Sequence, residues 1–285
     1  MTLGIFSASG YRAMAISKLT AGKTLHSALL IRDTFQGVAT LTLNQPEKRN
    51  ALSGRMISLL QEALDELNQD NTVRVVVVQG SGPAFCSGHD LTEIRSATTE
   101  SRKQLFRDCS QIMVSLVRLS KPVIAKIHGP ATAAGCQLVA SCDLAVASSG
   151  ARFATPGVNI GLWCHTPQVA VSRNVSAKHA MEMLLTGEMI DAEMAQRIGL
   201  INTVVPQKEL DETVHKLAKK IAAKSMKTVQ GGKKSFYSQV GLTLEQAYEQ
   251  ATETMSKSAG TDESAEGISA FLEKRAPHWN EPPVD

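Results

Sequence analysis

Two short runs of small residues constrain this chain more than anything else in it. FCSGHDL spans Phe85 to Leu91, and HGPATAAGCQLVASCDLAVAS spans His128 to Ser148. Each is a turn set between an apolar strand and a helix-like run. Glycine-bearing turns of this kind leave backbone N–H groups free to face a cavity. Two of them, converging, make an anion trap for a carbonyl oxygen that becomes negative during reaction.

The flanking pattern alternates strands with helices. Val38 to Leu43 reads as a strand and Gln45 to Ser53 as a loop. Ser53 then caps a helix to about Asn68, with Met56, Leu59, Leu60, Ala63, Leu64 and Leu67 on one face. Val73 to Gln79 is a continuous β-branched run, the mark of a strand buried on both faces. Gly80 to Pro83 turns it into the first loop. A helix over Arg102 to Leu119 ends at Lys121-Pro122, and a buried strand follows over Val123 to Ile127. Ala134 to Ala140 reads as a short helix, with strands at Asp143 to Ala147 and Phe153 to Ala154. These β–α–β units imply stacked sheets with helices outside. From Ser176 the pattern turns helical, interrupted by a β-prone stretch over Leu200 to Val205. The expected organisation is an extension over residues 1–27, an α/β core over 28–205 and a helical region over 206–285.

Composition narrows the function classes. A net charge of +3, dispersed and without basic–aromatic interleaving, gives no footprint for nucleic acid. No apolar run approaches the roughly eighteen residues of a membrane span. The five cysteines (Cys86, Cys109, Cys136, Cys142 and Cys164) are an odd number without ligand spacing. Free thiols in a reducing compartment and no metal are expected. The first thirty-two residues carry Arg12, Lys18, Lys23 and Arg32 but no acid, and Met14 is another candidate start. That composition fits a mitochondrial presequence or an unstructured extension. Its weak amphipathic periodicity favours the cytoplasm, with the mitochondrial matrix as the alternative.

Six segments in order resemble the crotonase, or enoyl-CoA hydratase/isomerase, superfamily: PEKRNALS, FCSGHDL, KPVIAKIHGPATAAGCQLVASCDLAVAS, ARFATPGVNIGL, AMEMLLTGEMIDAEMAQRIGLINTVV and EGISAFLEKR. The resemblance covers about residues 28–276. It implies an α/β crotonase (ClpP-like) spiral of β–β–α units, with C-terminal helices that pack into a homotrimer or homohexamer. It also implies an acyl-CoA thioester as ligand, with CoA as part of the substrate and no separate cofactor. By position, the main-chain N–H groups of His89 and Ala134 are the oxyanion donors, within turns formed by Ser87, Gly88 and Gly135. Ala134 opens a helix, whose positive end favours an enolate oxygen. Lys48, Arg49, Asn50 and Ala51 lie in the loop expected beside the CoA. Phe271 and Lys274 match a C-terminal helix that reaches the CoA of a neighbouring subunit.

The chain departs from the resemblance where proton transfer is expected. Hydratases of the superfamily use two glutamates, and residue-by-residue matching puts Gln137 and Gly157 in their places. Gln137 orients a water but accepts no proton, and Gly157 offers no side chain. General acid–base assistance is worth about 10² to 10⁴ in rate, so hydration by the usual route is doubtful. His165, in GLWCHTP, falls where dienoyl-CoA isomerases resembling this fold place an acid, and its imidazole is a candidate proton carrier. Asp90 is read as tying down its loop beside Leu91, while Leu162 and Trp163 line the acyl cavity or belong to the core. The expected function is an acyl-CoA enzyme that stabilises a thioester enolate. The alternatives are decarboxylation of a malonyl-type thioester, which makes the enolate without a base, and a catalytically idle acyl-CoA binder. On this reading, glutamate at both 137 and 157 should raise crotonyl-CoA hydration.

Overall fold

The computed structural model describes residues 29–281 of the chain. The reading of residues 1–27 as an extension or presequence lies outside the described residues.

The hairpin β1 (Leu30–Phe35) and β2 (Val38–Leu43) is antiparallel, with Phe35 opposite Val38. Gln36 and Gly37 turn it, both with positive φ, as a two-residue hairpin loop requires. Next comes α1 (Gly54–Gln69), where the Ser53 hydroxyl accepts from the Met56 N–H. β3 (Val75–Gly80) pairs parallel with β2 and leads through a loop to α2 (Leu91–Ser96) and α3 (Thr99–Arg118). Then follow β4 (Val123–Ile127), β5 (Ala131–Thr132), α4 (Ala134–Ser141), β6 (Leu144–Ser148) and β7 (Arg152–Ala154). α5 (His165–Val171), α6 (Ala177–Thr186), β8 (Ile190–Asp191), α7 (Ala192–Arg197) and β9 (Thr203–Val205) complete the sheets. Four helices close the described chain: α8 (Leu210–Ala222), α9 (Met226–Gln239), α10 (Leu244–Ala259) and α11 (Asp262–Leu272).

One sheet has the order β1-β2-β3-β4-β6-β9, parallel from β2 onward, and a smaller one has the order β5-β7-β8. Strand alternation explains its burial. Val76, Val78, Val123, Ala125, Ala145 and Ala147 face the main core, which also takes the apolar stripes of α1, α3 and α4. Val75, Val77, Ile124 and Val146 face the other way, onto Leu210, Val214 and Ala218 of α8. Helices on both faces therefore make β3 an unbroken valine run, because neither side of it meets water. All eight residues of α4 are buried, which accounts for its lack of a polar face.

The C-terminal helices are anchored by charge. Lys233 Nζ lies 2.7 Å from Asp143 Oδ2 and donates to the carbonyls of Leu116 and Lys121, while the Tyr237 hydroxyl donates to Asp143 Oδ1. Beyond that anchor, α9–α11 turn large apolar side chains outward, among them Leu244, Tyr248, Met255 and Phe271.

Candidate active site

β3 and β4 are parallel neighbours, so the loops that leave their carboxyl ends emerge side by side. Ligands of parallel α/β sheets sit at this edge. The loops are stitched together and to the loop before α1. The Thr132 N–H donates to the Cys86 carbonyl at 2.9 Å, the Phe85 N–H to Pro130, the Ser87 N–H to Arg49 and the Leu52 N–H to Gly88. Asn50 locks the third loop from inside. Its amide donates to the carbonyls of Ser81, Ala84 and Phe85, and its Oδ1 accepts from the Gln45 N–H.

The closest approach is at two glycines. A methyl carbon on Gly135 would fall 2.1 Å from the Cys86 carbonyl oxygen. One on Gly88, whose φ is +92°, would fall 3.2 Å from the Ala134 nitrogen. The residue just before Ala134 is itself unusual. Ala133 holds φ 52° and ψ −119° at the helix N-cap, a conformation that costs about 1–3 kcal/mol for a residue with a Cβ. It is held by its own N–H, which donates to the Ala154 carbonyl at 2.9 Å. Among the described residues, no protein acceptor takes the main-chain N–H of His89 or of Ala134. Two unspent donors thus stand on abutting loops at one cavity of about 1260 Å³.

That cavity gathers most of the residues expected from sequence. His89, Ala134, Gly157 and His165 line it, as do Ser87, Asp90, Leu91, Leu162 and Trp163. Lys48, Arg49 and Ala51 line it as well. Lys48 Nζ is 2.9 Å from Asp90 Oδ2, and this bond first, then the N–H groups it caps on α2, hold the Asp90 carboxyl below its usual range. Asp90 is thereby a charged loop tie, as read. Trp163 donates from Nε1 to Gln168 Oε1 at 2.7 Å.

Several expectations differ from the structure. Asn50 is fully buried and spends its side chain on the four bonds above, so it is a loop clamp outside the cavity wall. Asn50→Ala is expected to cost about 2–3 kcal/mol, because buried carbonyls lose their donor; urea unfolding measures it. Gln137 is also outside the wall. It is 3% exposed within α4, and its Oε1 has no partner among the described residues. Gly88 and Gly135 lie behind the wall, at the loop contact. Phe271 is 82% exposed, and neither it nor Lys274 reaches this chain's cavity.

Gly157 differs most. A Cβ there would fall 2.0 Å from the Leu162 carbonyl oxygen and 2.9 Å from Cys164 Sγ. The short turn over Pro156–Ile160 folds back so that the Leu162 N–H donates to the Gly157 carbonyl at 2.9 Å. Backbone fills the place where a side chain would start. The expected gain from glutamate at 157 is therefore corrected, because the chain cannot accept any side chain there unmoved.

Residues that sequence reasoning passed over also stand in the wall. Ala133 is one, and nothing in an alanine signals a left-handed backbone. Phe106 meets the His89 ring edge-on at 5.2 Å. Glu93 caps α1 through the Gly54 N–H. No local spacing signals that bond, because Gly54 is 39 residues away.

Comparison with known proteins agrees with this fold. The enoyl-CoA hydratase/isomerase family profile matches residues 33–282. Human mitochondrial enoyl-CoA hydratase domain-containing protein 3 is 44% identical over 251 residues, covering 88% of this chain and 83% of that protein. Its crystal structure superposes with a TM-score of 0.86, at 43% identity over 88% of this chain and all of that one. A Mycobacterium smegmatis enoyl-CoA hydratase structure gives 0.87 at 50% identity, over 89% of this chain and 99% of that one. The fold is the crotonase fold, and the chain belongs to the enoyl-CoA hydratase/isomerase family.

Proposed function

We propose that this protein binds acyl-CoA thioesters and stabilises the thioester enolate with the main-chain N–H groups of His89 and Ala134. The observation that carries the reading is the abutment of two loops whose amides at His89 and Ala134 are unspent, with Gly88 leaving no room for even a methyl group between the loops. An enolate oxygen accepting from both would sit at the amino end of α4, where the helix dipole adds to the stabilisation. A single such donor is worth roughly 2.7–4 kcal/mol in the transition state.

Proton transfer in this reading falls to His165, which stands exposed at the first residue of α5 and on the cavity wall. Gln137 drops back to a buried supporting role behind the oxyanion donors. Lys48 and Arg49 flank the entrance and meet the CoA phosphates. The outward apolar side chains of α9–α11, Phe271 included, pack between copies in a homotrimer or a pair of trimers. The word mitochondrial in the human relative's name supports the matrix over the cytoplasm. A second reading, loss of carbon dioxide from a malonyl-type thioester, is favoured by the filled space at Gly157. Breaking the C–C bond leaves its electron pair on the enolate without any base.

Titration calorimetry tests the main reading. Crotonyl-CoA should bind at least about tenfold more tightly than crotonate, a difference of about 1.4 kcal/mol. Equal affinity would remove the CoA assignment. A mass-spectrometric screen of CoA esters then separates hydration, isomerisation and decarboxylation by the product mass and bond position.

A further inference from the structure

Helices α10 and α11 are held to the rest of the chain with little apolar burial. Among the described residues, α10 has no buried one and α11 only Ala270. Isolated helices of this length are marginal in water and depend on a packed face, so other contacts must keep the pair in place. On one side α10 follows α9 through residues 240–243, where a Cβ on Gly241 would meet nothing within 4 Å. Gln250 of α10 donates to Ser238 Oγ of α9, an exposed contact between two side chains.

The other side is fastened by residues 275–281. Past α11 the backbone reverses at Lys274, whose φ is 56°. Arg275 grips Glu266 of α11 with Nη1 and Nη2 at 2.6 and 2.8 Å, and the His278 N–H donates to the same carboxylate at 2.6 Å. The Trp279 ring lies 3.5 Å from where a Cβ on Gly267 would stand. Its Nε1 donates to the Ala223 carbonyl at 3.1 Å, which occupies an acceptor at the carboxyl end of α8. Glu281 arrives at the amino end of α9, where the helix dipole favours a carboxylate. Its Oε1 accepts from the Ser225 hydroxyl at 3.0 Å and from the Met226 and Lys227 N–H groups, while its Oε2 pairs with Arg74, just before β3. The Glu281 and Arg74 side chains are 2% and 8% exposed, so salt screens this pair little. Lys227 in turn reaches Glu263 of α11 at 2.6 Å.

We infer that residues 275–281 form a clasp that holds the α10–α11 pair on its own chain, and that the pair opens as a unit about Gly241 when the clasp lets go. Its tip, Glu281, ties the pair to the sheet and to the corner between α8 and α9 at once. α9 has a separate anchor in the bonds from Lys233 and Tyr237 to Asp143, so its middle stays closed when the clasp opens. None of the clasp residues lines the cavity, and the inference is independent of the acyl-CoA reading.

Hydrogen–deuterium exchange of the full chain, resolved by peptide, tests this. Glu281→Ala is expected to speed exchange across α10 and α11 by at least about tenfold, because removing one partner of a buried ion pair is costly. β3, β4 and the middle of α9 should keep their rates. Trp279→Phe keeps a ring over Gly267 and removes the N–H donor, and should speed the same segments by about threefold. It carries the test if the alanine variant fails to fold. Unchanged rates in α10 and α11 would overturn the inference, since other contacts would then hold the pair. A rise confined to residues 225–227 would overturn it as well, leaving Glu281 a helix cap alone. So would an equal rise across β3 and β4, which is ordinary global destabilisation.

Discussion

Gly135→Ala is expected to be among the most damaging single substitutions in this protein. Its methyl carbon would arrive 2.1 Å from the Cys86 carbonyl oxygen, 2.8 Å from the Cys86 carbonyl carbon and 2.9 Å from its Cβ. These are mostly backbone atoms of the other loop, held by the Thr132–Cys86 and Phe85–Pro130 bonds, so no flexible side chain can yield. Overpacking usually costs about 1–3 kcal/mol, and a main-chain collision between two pinned loops belongs above that range. A loss of about 4 kcal/mol corresponds to a fall of roughly 8–16 °C in the thermal midpoint of a chain this size. Function should suffer further, because the separation that relieves the clash also draws Ala134 away from His89. Acetoacetyl-CoA, which enolises readily, is the appropriate ligand. Its affinity should fall by at least about tenfold, even at temperatures where the variant is folded. Unchanged binding of that thioester would show that the two amides do not share one acceptor.

The second large effect concerns glutamates placed at both 137 and 157. If the deficit were only of carboxylates, this double substitution would repair a hydratase. The structure predicts the opposite. Any side chain at 157 begins inside the Leu162 carbonyl, and the turn that brings Leu162 there is closed by that residue's own bond back to Gly157. At 137 a carboxylate would be buried in an all-buried helix, and would take up a proton rather than act as a base. No gain in crotonyl-CoA hydration is expected, and the variant should unfold at least about 4 kcal/mol more easily than the parent. A gain of a hundredfold in hydration, with stability retained, would mean that the 156–164 turn is soft enough to reopen.

The two variants fail in different ways, which is informative about the site. Gly135 guards the distance between the loops that carry the His89 and Ala134 amides. Gly157 marks a place where backbone has replaced a side chain. Both are silent as letters in a sequence.

Much of the frame was legible before any coordinates. The valine run of β3, the Ser53 cap of α1 and the apolar stripe through Met56, Leu60, Leu64 and Leu67 follow from local periodicity, and each appears where expected within a residue or two. Asp90 was legible too, since an Asx cap is a contact over three residues. Less visible were β1, α2 and α5. β1 is a half-exposed edge strand with Arg32, Asp33 and Thr34 in its middle, and the two helices are only six and seven residues long. Short elements carry too few turns for a period to emerge.

The functional wall divides along the same line. His89, Ala134 and His165 stand on that wall, and their neighbours form turns with recognisable composition. Asn50 was misplaced because its role is set by carbonyls 31 to 35 residues away, which no local pattern encodes. Phe106 went unnoticed on a helix face that looks like any other amphipathic stripe. The residues alone determined the parallel sheet and the two glycine turns, since each depends on propensities acting within a few positions. Only the folded chain decided that Ala133 takes a left-handed backbone, that Leu162 occupies the room beside Gly157 and that the His89 ring packs edge-on against Phe106. Those outcomes are set by which distant atoms arrive first in the same few cubic ångströms, and that competition is decided by packing in three dimensions.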